Sequence, residues 1–275
     1  MKIKKSFSVK WLSTPYLLWS IMFIIIPLCM IFYYGFTDKS GAFTLENIFA
    51  IGQYEHLKSL FIALVLSVVA TMICIVLSYP LALILCQSKK SSKYMVFIFI
   101  LPMWMNFLLR TMAWQTLLEK SGVINAILEL MNLPALKIIN TPGAIILGMV
   151  YNFLPFMILP IYNSISKIDT NIINAAKDLG AGNMHVFWKI TFPLSLPGMF
   201  SGITMVFVPS LTTFVISKLL GGSKILLIGN VIEEEFTQAS NWNLGSGLSI
   251  VLMIFIIISM IFTSIFDKEG DASFI

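Results

Sequence analysis

The side chains that most often carry catalysis or bind metals are few in this sequence. His56 and His185 lie in different regions of the chain, and Cys29, Cys74 and Cys86 form neither a CxxC pair nor a Cys/His cluster. Neither a disulfide framework nor a metal site is therefore predicted. The sequence also contains no GxxxxGK[ST] phosphate loop, no HExxH and no paired-aspartate arrangement in an apolar segment, so hydrolysis by this chain is not expected.

Aromatic and charged residues in apolar segments are the remaining candidates. Trp104 and Trp114 are ten residues apart, and Tyr151 follows in a later apolar segment. Such rings either bind cations through their faces or form an interfacial aromatic belt. Arg110 is the only arginine, and an ionisable residue in an apolar segment is a functional-site candidate by default. We favour a structural pairing for it, with Asn106 or with an acid on a partner subunit.

The composition is that of a membrane protein. The 275 residues are 58% hydrophobic and only 11% charged, whereas soluble domains have about 25% charged residues. At about 20 residues per transmembrane helix, the chain has room for five to seven spans and no separate soluble catalytic domain. The net charge of +5 could suggest nucleic-acid binding, but eleven of the basic residues flank apolar segments, and no nucleic-acid partner is expected.

Six continuous apolar segments predict an all-α membrane protein. Each is long enough to cross the bilayer, and none alternates every second residue as a barrel strand would. The first exceeds a signal-peptide core and lacks a small-residue cleavage site, so it is predicted to be a retained span. A single transmembrane domain, 15–266, then lies between tails 1–14 and 267–275. The predicted spans are 15–36, 58–86, 95–118, 142–165, 195–217 and 245–266.

The distribution of lysines predicts the orientation. With the N-terminus inside, the inner segments hold eleven lysines and five acids, and the outer segments hold six lysines and eight acids. Because lysines are retained on the cytoplasmic side, both termini are predicted to be cytoplasmic. The inner loops are then 87–94 and 166–194, and the outer loops are 37–57, 119–141 and 218–244.

The long inner loop has a helical pattern of its own. A helix is predicted over 170–179, capped by Asp169 or Thr170 and ended by a left-handed turn at Gly180 with Gly182. The stretch 184–190 then presents apolar side chains on one side before prolines begin the next span. An exposed apolar patch of this kind predicts a protein partner. The apolar side chains are Val186, Phe187 and Ile190, and the prolines are Pro193 and Pro197.

This loop resembles the EAA loop of bacterial ABC-transporter permeases. The family pattern is E-A-A-x3-G-x9-I-x-L-P, and this chain matches its spacing, with Asn174 replacing the glutamate and Phe192 replacing the leucine. The resemblance implies the MetI-like architecture of type I importers, in which residues 170–193 form a coupling helix that docks on a cytoplasmic ATPase. The coupling residues that it implies are Asn174, Ala175, Ala176, Asp178, Gly180, Phe187 and Pro193.

Three further stretches resemble the spermidine/putrescine permease group. They are LPMWMN at 101–106 with Arg110, GMVYNFLPFM at 148–157 and GGSKILLIGNVI at 221–232. The resemblance implies a polyamine importer in the bacterial inner membrane, in which this chain pairs with a second permease subunit. It also implies an extracytoplasmic polyamine-binding protein and an ATPase dimer that holds ATP and Mg, with no cofactor on this chain.

A polyamine path would need aromatic faces and a few carboxylates. Three consecutive glutamates follow the Gly-Gly loop on the predicted outer side, where they could raise the local concentration of an arriving cation. A solvated loop face explains these glutamates equally well. The path candidates are Trp104, Asn106, Trp114, Tyr151, Phe153, Glu233, Glu234 and Glu235.

Two other functions remain open at this point. An ABC importer for another small solute would share the EAA loop, although an anion path should have several converging basic groups and Arg110 is the only one in the spans. An ATPase-independent secondary transporter or channel is disfavoured, because no internal inverted repeat is evident and the inner loop carries a docking pattern.

Overall fold

The computed structural model describes residues 14–87, 97–99 and 101–272, and these residues are helical with short connections. An isolated bridge joins Thr37 and Phe43, and the described residues form no β-strand. The predicted all-α class is confirmed. The helices are α1 (Thr14–Gly35), α2 (Glu46–Phe49), α3 (Tyr54–Gln87), α4 (Phe107–Leu118), α5 (Val123–Leu130), α6 (Pro142–Ser166), α7 (Thr170–Asp178), α8 (Asn183–Thr212), α9 (Ile228–Thr237) and α10 (Trp242–Ala272).

Five of these helices, α1, α3, α6, α8 and α10, are long and apolar enough to cross a membrane. The predicted span 95–118 lies partly outside the described residues, and the structure breaks it. The segments Phe97–Trp104 and Phe107–Leu130 are bent by 95° and make a sixth crossing only if they count as one broken span. The break falls at Asn106, whose ψ of 129° is not helical because the residue caps α4.

The fifth predicted span differs in its limits. It was expected at 195–217, but α8 begins at Asn183, inside the predicted inner loop, and ends at Thr212. A π-helical turn at Phe187–Thr191 leads directly into the transmembrane part, and Pro193 occupies its first turn. Within the continuous α8, Pro193 lacks the N–H that an interior residue donates, and the π-helical turn directly before it is the irregularity that accompanies this loss. The predicted outer loops also contain helices, namely α2, α5 and α9.

The chain divides into two compact units, Met1–His56 with Ile232–Phe255 and Leu57–Val231 with Ile256–Ile275. In the first unit, asparagine side chains close the end of α1. Asn243 donates to the carbonyl oxygen of Tyr34 at 3.2 Å, and Asn47 donates to that of Gly35 at 3.3 Å. These bonds satisfy two backbone acceptors that the helix leaves free at its end.

The second unit is built around α6 packed along α8. Gly198 lies against the carbonyl of Pro160, and a Cβ at Gly202 would lie 2.6 Å from the sulfur of Met157. The sequence GMFSG at 198–202 therefore works as a small-xxx-small contact, which lets the two backbones approach closely. The fully buried side chains of α6 include Ile145, Met149, Met157, Ile158 and Ile161.

Candidate functional site

Residues 170–193, here named the coupling segment, fold locally as their sequence predicts. The Asp169 carboxylate accepts a hydrogen bond from the N–H of Asn171 at 2.9 Å and caps α7. Gly180 has φ +86°; its N–H donates to Lys177 at 2.8 Å, and that of Ala181 donates to Ala176 at 3.0 Å. This is a Schellman turn. Gly182, expected to share the left-handed turn, instead has φ −69° and caps α8.

Most of the coupling residues implied by the EAA pattern lie on the surface. A Cβ placed on Gly180 would meet nothing within 4 Å, so the requirement for glycine there comes from its φ and not from crowding. Asn174, Ala175, Asp178, Gly180 and Pro193 are exposed, and Ala176 is half-buried.

Phe187 does not point outward, in contrast to the expected exposed apolar face. Its ring contacts Tyr79 edge-on with centroids 5.7 Å apart, and Val186 beside it is buried. The most exposed apolar side chains of the coupling segment are instead Leu179, 90% exposed, and Met184, 71% exposed. Helical spacing could have indicated Leu179, since it lies three and four positions after the two alanines on the same side of α7.

A shallow groove lies beside these outward side chains. It runs between the end of α7 and the start of α8, and its walls combine small residues with two basic side chains. An exposed apolar side chain can insert into the surface of another protein, and an open groove beside it can receive a side chain from that protein. The lining residues are Ala176, Leu179, Gly180, Ala181, Gly182, His185, Lys189 and Ile190.

Of the aromatic path candidates, Trp104 is the most accessible. It is 75% exposed and touches Phe97 edge-on with centroids 5.5 Å apart. Asn106, also predicted as a path residue, has a structural task. Its side-chain oxygen accepts from the N–H groups of Leu108 at 2.9 Å and Leu109 at 3.2 Å, which caps α4.

Arg110 has partners within its own unit. It is 6% exposed, and its guanidinium donates to the carbonyl oxygen of Pro102 at 2.8 Å. The guanidinium carbon lies 5.7 Å from the ring centroid of Tyr151, a cation–π distance. The structural role expected for Arg110 is supported, but the pairing with Asn106 is wrong, because a backbone carbonyl and an aromatic face take its place.

The other aromatic candidates pack together. Trp114 meets Tyr151 edge-on with centroids 5.2 Å apart, and Tyr151 also contacts Arg110. Phe153 is 7% exposed and stacks on Phe107. Because these rings pack against neighbouring side chains, less of their surface is accessible to a solute than their sequence positions suggested.

The three glutamates lie in a helix and not in a loop. Glu233, Glu234 and Glu235 belong to α9 and are half-buried. Successive helical residues point about 100° apart, so the three carboxylates do not form one patch. In the first predicted outer loop, the Asp38 carboxylate accepts bonds from the Ser40 hydroxyl at 2.6 Å and the Ala42 N–H at 2.9 Å. These bonds hold the pKa of Asp38 below its ordinary value.

The described residues thus combine long apolar helices with an exposed helix–turn–helix segment, α7 and the start of α8. The chain belongs to the family of binding-protein-dependent transport system inner membrane components, whose family model matches residues 75–269. It is therefore a transport subunit of an inner membrane and not an enzyme.

Its relatives carry a more specific name. The chain is 36% identical over 247 residues to the spermidine/putrescine transport system permease protein PotB of Haemophilus influenzae, with 86% of each chain covered. PotB of Escherichia coli K12 is 35% identical over 245 residues, covering 86% of this chain and 89% of that protein. A PotB homolog from Mycoplasma genitalium is 30% identical over 251 residues, covering 88% and 82%.

Solved structures share the fold. A bacterial ABC transporter involved in the import of the acidic polysaccharide alginate matches with a TM-score of 0.79 and 18% identity, covering 97% of both chains. The alginate transporter in complex with a periplasmic protein that holds an alginate pentasaccharide matches with a TM-score of 0.77 and 17% identity, covering 95% of this chain and 94% of that one. The predicted importer-permease fold is confirmed.

Proposed function

We propose that this chain is a permease subunit of an ATP-driven importer of polyamines such as spermidine and putrescine. The observation that carries the proposal is the 35–36% identity to spermidine/putrescine permeases over 86% of the chain. Trp104 adds a chemical reason, since an exposed indole face suits an organic cation.

The coupling segment is the docking site for a cytoplasmic ATPase subunit, and ATP and Mg are held by that partner. The exposed side chain of Leu179 and the adjacent groove support this assignment. Asn174 replaces the glutamate of the EAA pattern, so docking at that position relies on hydrogen bonding and shape and not on an ion pair.

A second, similar permease subunit completes the translocation path, and an extracytoplasmic polyamine-binding protein delivers the cargo. In the most hydrophobic 18-residue stretch of α1, no residue is buried by the rest of this chain, so the surface of this helix is available to lipid or to a partner subunit. The lysine distribution supports cytoplasmic termini, which puts the coupling segment on the ATPase side.

Transport follows from differential binding of nucleotide to two states of the complex. Closure of the ATPase pair on ATP displaces the coupling segment as a nearly rigid body and opens the bundle outward. Hydrolysis releases the pair and returns the bundle to its inward-open state.

The test is ATPase activity of the purified complex in lipid with its own binding protein. Spermidine, putrescine, inorganic phosphate and buffer alone are compared, and stimulation by polyamines only is the expected result. Stimulation by phosphate only would contradict the cargo while keeping the permease role. Failure of the chain to retain any ATPase subunit would contradict the coupling role.

A further inference from the structure

One buried hydrogen bond joins α3 to the beginning of the transmembrane part of α8. The Tyr79 hydroxyl lies 2.6 Å from the Ser195 hydroxyl; Tyr79 is 8% exposed and Ser195 is fully buried. Ser195 donates its own proton to the carbonyl of Phe192 at 2.8 Å, so the tyrosine is the donor. In an apolar bundle such a bond is a specific connection between two helices, because few alternative partners exist nearby.

The backbone is irregular on both sides of this bond. In α3, Pro80 follows Tyr79 and removes the bond that residue 80 would donate to the carbonyl of Val76. In α8, the π-helical turn Phe187–Thr191 ends four residues before Ser195. Proline and π-turns are the usual places where helices bend, and π-turns often occur at functional sites.

The ring of Tyr79 also contacts Phe187, the first residue of the π-turn, and Phe192, the residue that follows it. Its centroid lies 5.7 Å from that of Phe187, edge-on, and 5.7 Å from that of Phe192. Phe187 and Phe192 are themselves 6.2 Å apart. The tyrosine therefore holds the end of the coupling segment by aromatic packing and the first turns of the span by its hydroxyl.

A cavity lies between the coupling segment and the ends of α3 and α6. Its volume is about 690 Å³, and its walls include Leu83, Ile165, Ile173 and Val186. Tyr79 lies in the contact next to this cavity, where α3 does touch the coupling segment.

We infer that Tyr79 and Ser195 form a transmission joint, in which Tyr79 is a positioning residue that passes displacement of the coupling segment to α3. The inference rests on the proposed function, because it assumes an ATPase that moves the segment. Without the bond between the two hydroxyls, the ATPase still docks and hydrolyses ATP, but a smaller part of the displacement of the coupling segment reaches α3.

The test compares Tyr79→Phe, Ser195→Ala and the double variant in the lipid-reconstituted complex. The measured quantity is polyamine imported per ATP hydrolysed. Each single variant is expected to lower this ratio about three- to tenfold, the effect of losing one buried hydrogen bond. The double variant should be no worse than the singles, since the two changes remove the same bond.

Thr204 and Thr263 supply a matched control. Their hydroxyls form another hydrogen bond between helices, of 2.8 Å, that does not involve the coupling segment. Thr204→Val removes a bond of similar strength, but it is expected to leave the transport ratio within about twofold of the native one, because this bond does not touch the coupling segment. If Tyr79→Phe and Thr204→Val gave the same amount of polyamine imported per ATP hydrolysed, the inference of a transmission joint would be overturned.

A second readout does not depend on the cargo. A fluorescent amino acid encoded at Val76, which is 69% exposed on α3, should change its emission on ATP binding to the complex. The change should be lost in Tyr79→Phe and kept in Thr204→Val, and persistence in Tyr79→Phe would refute the inference. Import of a different solute would contradict the polyamine proposal alone and leave this result standing.

Discussion

Among the aromatic side chains, accessibility separates path candidates from packing residues. Tyr151 contacts both Arg110 and Trp114, and Phe153 is buried against Phe107. Trp104 contacts Phe97 at its edge and otherwise faces outward. A flexible polycation needs an accessible ring face, so Trp104 is the candidate that the structure leaves available.

Trp104→Ala should therefore raise the KM of spermidine uptake. Cation–π contacts at exposed sites contribute about 0.5–1 kcal/mol, which corresponds to about a two- to fivefold change. Trp104→Phe should have a smaller effect because a weaker ring face remains. The matched control is Trp19→Ala, since Trp19 is 52% exposed in α1 and stacks on Tyr16. Equal KM changes for the two alanine variants would remove the cation–π argument.

The coupling segment is an element whose limits follow from short-range interactions. Asp169 begins α7, and the Schellman turn at Gly180 ends it. That turn sets the angle at which α8 departs and leaves Leu179 projecting outward. The proposed docking therefore depends on the conformation of a single left-handed residue.

Gly180→Val should weaken the association with the ATPase by roughly tenfold, since left-handed backbone is strained for a β-branched residue. Co-purification of the ATPase subunit at graded concentrations measures this effect. Membrane insertion should stay intact, because the change lies outside the spans.

Gly182→Val is a close control for this change. Neither glycine has an atom within 4 Å of a built Cβ, but Gly182 has φ −69° and Gly180 has φ +86°. If both variants lost the ATPase subunit to a similar extent, the size of the added side chain and not the left-handed turn would explain the loss. That outcome would count against the assigned turn geometry as the determinant of docking.

For the molecule as a whole, the contact of α6 with α8 is the main support of the second unit. These helices approach closely because Gly198 and Gly202 replace side chains with hydrogen. α8 also includes the second half of the coupling segment, so the same packing supports the proposed docking site.

Gly198→Val should lower the thermal stability of the purified permease. The added atoms meet the Pro160 carbonyl and the Ser164 side chain, which cannot both move away, and overpacking of this kind costs about 1–3 kcal/mol. The midpoint of thermal unfolding in detergent measures the loss. Gly52→Val is the control, because nothing lies within 4 Å of a Cβ there. An unchanged midpoint for Gly198→Val would contradict the close packing.

The features predicted well from sequence are those with local causes. Apolar runs of sufficient length indicated the spans, and an aspartate followed eleven residues later by a glycine indicated the limits of α7. Capping, φ preference and hydrophobic run length involve residues within a few positions of one another, so the order of residues is enough to reveal them. The EAA spacing is also a local pattern, and it indicated the ABC-transporter permease family.

Features that depend on packing between distant segments required the fold. Val186 and Phe187 looked exposed from their spacing, but Phe187 turns inward because Tyr79, more than a hundred positions earlier, supplies its packing partner. The partner of Arg110 is nearer in sequence but also depends on the fold, since the bend at Asn106 brings the Pro102 carbonyl, eight positions earlier, within 2.8 Å. The Tyr79–Ser195 bond spans 116 residues. Contacts of such separation arise from the mutual packing of helices, which no local pattern encodes.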